Sequence, residues 1–250
     1  MKRPLLILLP LLLSTAVASA QPTFRLGVRG GINRATSTLA AASNSTTSYP
    51  FSYSATKSAI HAWQAGAVLE VAFRHFSLQP ALIFSQKGEQ LSTYTVTYYS
   101  RYSRGIGSEE TCATSRPNWL EVPVNVVYTL HGFQVFAGPY VALAVGGRKR
   151  GTSLSTSPYA KYGPSDFDEK IAFGSKSANR RLDAGINFGL GYQRGPLQLQ
   201  LGYGLGLRNM HQPPEINYII IDYSDGHHDF SADAAYARVM QLTGTYFFKL

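Results

Sequence analysis

The sequence predicts an all-β fold, an eight-stranded antiparallel up-and-down transmembrane β-barrel. Three observations predict it. Residues 181–207 form two arms with a strict two-residue period on either side of Arg194-Gly195-Pro196. The same period recurs in further stretches along the chain. The connections between those stretches alternate between short and long.

The arms at 181–207 set the orientation. Leu182, Ala184, Ile186, Phe188, Leu190 and Tyr192 alternate with Asp183, Gly185, Asn187, Gly189, Gly191 and Gln193. Beyond the turn, Leu197, Leu199, Leu201, Tyr203, Leu205 and Leu207 alternate with Gln198, Gln200, Gly202, Gly204 and Gly206. Successive strand side chains point to opposite faces, so each arm has one apolar face and one small or polar face. A soluble sandwich or lipocalin-like barrel would turn its apolar face inward. Here the other face is mostly glycine with Gln, Asn and Asp, which suits a crowded lumen and leaves the leucines outside. Two strands of outward leucines are an aggregation hazard in water and a requirement in a bilayer.

The N-terminus fits export. Lys2-Arg3 precedes an apolar run from Leu5 to Leu13 broken by Pro10, and Ala18-Ser19-Ala20 offers a small-x-small cleavage site. Residues 1–20 read as a signal peptide, too short to span a bilayer, and residues 21–250 as one barrel domain. Gln21 in place of cysteine argues against a lipoprotein anchor. No later run approaches ~18 apolar residues, so no transmembrane helix is expected. A mean hydropathy of -0.09 suits alternating strands.

The first strand is expected over about 24–33, with Arg25, Gly27, Arg29, Gly31 and Asn33 inward, followed by a long loop over 34–61. The second, about 62–73, turns Trp63, Ala65, Ala67, Leu69 and Val71 outward and Gln64 and Glu70 inward. A turn at Arg74-His75 leads to the third, about 76–87, with Gln79, Ser85 and Lys87 inward; Pro80 removes one ladder hydrogen bond and predicts a local irregularity. Residues 88–116 read as a second long loop, with an extension of the hairpin possible at Tyr94–Tyr99. The fourth strand, about 118–129, puts Trp119, Glu121, Pro123 and Asn125 inward. His131-Gly132 turns into the fifth, about 133–146. Residues 147–180 and 208–236 are the remaining long loops, and the last strand spans about 237–250 with Lys249 on its inward series. Eight strands, three short turns and four long loops match the even strand number, short periplasmic turns and long external loops of outer-membrane barrels. Phe24, Trp63, Phe73, Phe76, Phe84, Tyr128, Phe133, Tyr192 and Phe248 near strand ends suit two interfacial girdles.

Several segments carry a family likeness. They are Gly27-Val-Arg-Gly-Gly-Ile-Asn33, Trp119-Leu-Glu-Val-Pro-Val124, Ala137-Gly-Pro-Tyr-Val141, Asp183-Ala-Gly-Ile-Asn-Phe-Gly-Leu-Gly191 and Tyr203-Gly-Leu-Gly-Leu-Arg-Asn209. In that order and spacing the chain resembles the PorT-like outer-membrane β-barrel proteins of the Bacteroidetes, over nearly all of residues 24–250. The resemblance implies an eight-stranded outer-membrane barrel and an accessory role in the envelope or in protein secretion.

An eight-stranded interior is just wide enough to be filled by side chains. Opposite charges within it must pair or hydrogen-bond. Arg25, Arg29 and Lys87 are therefore expected to pair with Glu70, Glu121 and Asp183 as a structural plug in a closed lumen. A narrow pore is the sharper alternative. Asp222, Asp225, His227, His228, Asp229 and Asp233 could hold a divalent metal, but their spacing fits no EF-hand or HExxH pattern and turn chemistry accounts for them. His61, His211, Ser224 and His227 could be imagined in a rim enzyme acting on lipid or peptide, yet no GxSxG nucleophile motif accompanies them. No catalytic, cofactor or metal residue is assigned, and Cys112 is alone and forms no intramolecular disulfide. The formal charge is +9, or +7 without Lys2 and Arg3. The basic residues are scattered, with Arg148-Lys149-Arg150 the densest run, so nucleic acid is not an expected partner. Expected partners are outer-membrane lipid and other envelope or secretion proteins. The run at 148–150, just past a strand end, suits headgroup phosphates or plain solvation.

Overall fold

The structure is a computed structural model that describes residues 22–38, 51–99, 105–156, 162–174, 177, 179–210 and 235–249. The expected signal segment and residues 211–234, with their Asp and His group, lie outside the described residues. Ten strands are found among the described residues: β1 (Thr23–Ser37), β2 (Phe51–Ala72), β3 (Phe76–Gln86), β4 (Glu89–Tyr99), β5 (Gly105–Leu130), β6 (Phe133–Thr156), β7 (Ser165–Lys170), β8 (Leu182–Arg194), β9 (Leu197–Gly206) and β10 (Ala237–Lys249). Eight of them close a ring in the order β1, β2, β3, β5, β6, β8, β9, β10. Strand β10 returns to β1 antiparallel, from Arg25 opposite Lys249 to Ser37 opposite Ala237. Closure pairs every edge of the wall, which is what a bilayer demands of a sheet.

The faces follow the two-residue period. Leu190 is 62% and Leu201 54% exposed on the bare chain, whereas Asp183 is 0% and Gln200 2% exposed. The outward band is thus apolar and unburied by the protein itself, and the polar series faces a packed interior. Aromatics gather at the short-turn end, where Phe76 meets Tyr128 at 4.9 Å and Phe133 meets Tyr192 at 5.2 Å between ring centroids. Trp63 and Phe84, 5.4 Å apart, mark the other end.

The turns are set by local chemistry. His131 and Gly132 both adopt positive φ (49° and 88°), the pattern of a type I′ hairpin turn, whose twist matches the flanking strands. Gly195 has φ 59° and is followed by Pro196, as in a type II′ turn.

Three of the expected long loops are corrected. Residues 51–61, 89–99, 105–116 and 147–156 continue as strand, and β7 lies inside the stretch 147–180. Above the wall, β4 fills the space between β2 and β5, and β7 pairs with β6 from Arg148 to Ser153. Thr, Tyr and Val suit a pleated surface, which explains the strands. Polar residues on both faces remove the apolar alternation that would have announced them. Lys249 is also corrected: it lies on the inward series but is exposed, because β10 ends there at the short-turn end of the barrel.

The prolines interrupt the ladder without shifting it. Pro80 lacks a partner on β2, yet Val68 opposite Ala81 and Val71 opposite Leu78 keep one register. The gap near Pro123 behaves likewise, with Pro80 opposite Val124 and Ile83 opposite Glu121. The register shift lies higher, between Asn118 and Trp119 against β6.

Candidate functional site

The inward side chains of β1 divide the lumen into levels. Arg25, Arg29, Asn33 and Ser37 recur every fourth residue, about 13 Å apart along the strand at ~3.3 Å per residue.

At the first level Arg25 lies opposite Glu70 in the β1–β2 register and forms an ion pair with it through Nη2 and Oε2. The guanidinium also lies 5.1 Å from the centre of the Phe247 ring. Glu70 Oε1 accepts a hydrogen bond from Gln79 Nε2 at 3.0 Å.

Arg29 forms the second level, and here the expected pairing is corrected, because no carboxylate among the described residues forms an ion pair with it. Its Nε donates to Thr245 Oγ1 at 2.9 Å, and Nη2 donates to Gln200, Gln198 and Gln79 Oε1 at 3.0, 3.3 and 3.4 Å. The inward carboxylates sit on neighbouring levels, so amide oxygens supply the negative end of the field. Gln79 links the first two levels, because its amide donates to Glu70 and its carbonyl accepts from Arg29.

Lys87 centres the third level. Its Nζ is 2.9 Å from Glu121 Oε1, 3.8 Å from Asp183 Oδ2 and 4.5 Å from the centre of the Tyr140 ring. Tyr140 donates its hydroxyl to Asp183 Oδ2 at 3.0 Å. Gly185 makes this possible: a Cβ there would press on the Tyr140 ring at 2.7 Å. One lysine thus faces two carboxylates, each contributed by a different strand.

A fourth level at the mouth was not foreseen. Lys57 Nζ lies 3.0 Å from Glu89 Oε2 and donates to Ser37 Oγ at 2.6 Å. Glu89 continues the odd-numbered inward series of β3 past Gly88, so extending that series would have found it. Lys57 is out of phase with the even-numbered inward series of β2, and parity gave no signal for it. The ligands of Arg29 were legible only as a polar face, because nothing in alternation says which glutamines converge.

Between the second and third levels an enclosed space of about 20 Å³ is bordered by Arg29, Gln64, Ile83, Glu121, Asn125 and Asn187. A space of that size holds about one water. Val68, Ala81, Ile83 and Phe247 pack as an apolar cluster within the same interior. The arrangement can hold charge in place; its chemistry is that of salt bridges and amide hydrogen bonds.

Elsewhere, no group of three or more His, Cys, Asp or Glu among the described residues could hold a metal. His211, Ser224 and His227 lie outside the described residues, and His61 is exposed on the wall. Cys112 accepts from Gln90 Nε2 at 3.1 Å, and this bond and one from Ser92 lower its thiol pKa.

A closed ring of eight antiparallel strands, apolar outside and charged within, is an outer-membrane β-barrel. The chain belongs to the outer membrane protein beta-barrel domain family, which matches residues 19–212. No curated protein matches it. Among solved structures it is similar to Neisserial surface protein A (NspA), at 10% identity and a TM-score of 0.35, over 90% of this chain and 97% of that one. It also aligns with OpdL of Pseudomonas aeruginosa, at 10% identity and a TM-score of 0.13, over 92% of this chain and 99% of that one. Neither likeness adds to what the family and the strands establish.

Proposed function

We propose that the chain is a non-enzymatic barrel whose lumen is a structural plug and whose work is done by surfaces outside the wall. The observation that carries this reading is the stacking of inward ion pairs at separate levels, Arg25 with Glu70 and the buried Lys87 with Glu121 and Asp183, around an interior space of about 20 Å³. Charges paired across the lumen in this way block a path rather than line one. The sheet above the wall, built from β2, β4, β5, β6 and β7, is then the surface offered to a partner. With the PorT-like resemblance of its segments, this supports an accessory role in envelope assembly or protein secretion.

Planar-bilayer recording tests the plug. The refolded chain is expected to give no resolved conductance steps; clear steps would favour the narrow pore. Pull-down from crosslinked outer membranes tests the role. Recovery of secretion components is expected, and an empty result would count against it.

A further inference from the structure

The outer face of the sheet just above the wall carries a group of arginines that the lumen reading does not use. Arg116 on β5 lies directly opposite Arg148 on β6, and Thr114 lies opposite Arg150. Like charges set opposite each other in a sheet are destabilising unless something offsets them. Asp168 on β7 does so in part, with Oδ1 2.7 Å from Arg148 Nε and Oδ2 3.0 Å from Arg150 Nε. It engages only the inner edge of each guanidinium and supplies one negative charge against three positive ones. Arg116 is fixed separately, with Nη1 donating to the His61 carbonyl at 2.9 Å.

Position gives the group its meaning. Outward residues of β5 run from Leu120 through Asn118 to Arg116, and those of β6 from Val145 past Gly146 to Arg148 and Arg150. The arginines therefore begin just where the lipid-facing band ends, on the side of the long connections. A groove of about 270 Å³ lies among Gln86, Thr114, Arg116, Asn118, Arg148 and Arg150. Arginine forks bind phosphate oxygens in bidentate fashion, and here the floor adds amide and hydroxyl donors.

We infer that this groove binds the phosphate of a phosphorylated glycolipid in the outer leaflet, with the acyl chains lying along Leu120, Leu143 and Val145. Charge complementarity and continuity with the lipid-facing band both favour this occupant over a soluble anion.

The test uses the full refolded chain in phosphatidylcholine nanodiscs doped with diphosphoryl lipid A, reading lipid retained after detergent exchange by native mass spectrometry. The folded state is checked by the heat-dependent shift in gel mobility. Wild type is expected to retain lipid A. The triple variant Arg116→Gln, Arg148→Gln, Arg150→Gln should retain about tenfold less while keeping the mobility shift, since basic residues near a membrane surface each add appreciably to anionic lipid binding. Arg194→Gln, at a periplasmic turn, should behave as wild type. A second measurement needs no variant: dephosphorylated lipid A should be lost from the wild-type protein. Equal retention of the two lipids, or by wild type and the triple variant, would overturn the site. Displacement of lipid A by millimolar inorganic phosphate would show a free-anion site and overturn the glycolipid assignment.

Discussion

The chain builds two kinds of sheet, and they obey different rules. Below Gly88 the strands are a wall with lipid on one face and a packed lumen on the other. Above it, β4, β7 and the upper parts of β2, β5 and β6 form a sheet with an ion-pair group in water: Asp168 and its arginine partners are exposed, while Lys87, Glu121 and Asp183 in the wall are buried. The same kind of contact therefore has different consequences in the two regions. Burial makes a broken pair severe, and solvent makes it mild.

The sharpest way to break the comparison is to remove one cation from each region. Lys87→Met strands Glu121 and Asp183 in the lumen and should lower stability by about 3–5 kcal/mol, measured by urea unfolding in lipid vesicles. Arg150→Met above the wall should change it by less than ~1 kcal/mol. Equal losses would mean that the lumen is wet. A charge added to the outside should split the regions next. Leu201→Arg on the lipid face is expected to lose about 2–4 kcal/mol if it lies near the midplane, whereas the exposed Thr56→Arg should stay within ~0.5 kcal/mol. Within the wall, one methyl group distinguishes the faces. Gly189→Ala drives a Cβ into the Leu201 carbonyl and the Phe136 ring, for a loss of about 1–3 kcal/mol. Gly244→Ala meets nothing within 4 Å and should be nearly silent by the same unfolding measurement.

The smallest effect concerns pH. Hydrogen bonding to Arg148, with a further bond to Arg150, holds the Asp168 carboxyl below its usual range. A lowered folded-state pKa stabilises above the unfolded value and is lost as pH falls through the folded one. Protection of the β7 amides, taken as the observed exchange rate against the intrinsic rate at each pH, should therefore persist at a pH where ordinary aspartates begin to protonate, then fall below it. Asp168→Asn should remove that pH dependence and leave exchange in β8 unchanged.

The two regions also explain what could be read from the residues alone. Alternation is a signal of contrast between two environments. Leu199, Leu201 and Leu242 against Gln198, Gln200 and Thr243 carry it because one face meets lipid and the other a lumen. Residues 89–99 and 147–156 lack it because both faces meet polar surroundings, so strands there read as loops. In the lumen, parity placed Arg25, Arg29, Glu70, Lys87, Glu121 and Asp183 on the inner face. Which of them meet depends on shear, and shear is a property of the closed ring that no single strand carries. Arg29 shows this best, with its partners on β3, β9 and β10.

That shell has a consequence for assembly. Arg29 belongs to the first strand to emerge, and Thr245 to the last. Until β10 docks, a desolvated guanidinium lacks a ligand and the seam along β1 lies open, so a partly built sheet is penalised twice over. Insertion should then behave as a latch, in which the final strand completes both the hydrogen-bond ladder and the cradle of Arg29 at one stroke. Chains ending before residue 237 are expected to remain unfolded at the bilayer surface, with no heat-dependent mobility shift, rather than to wait in it as seven-eighths of a barrel.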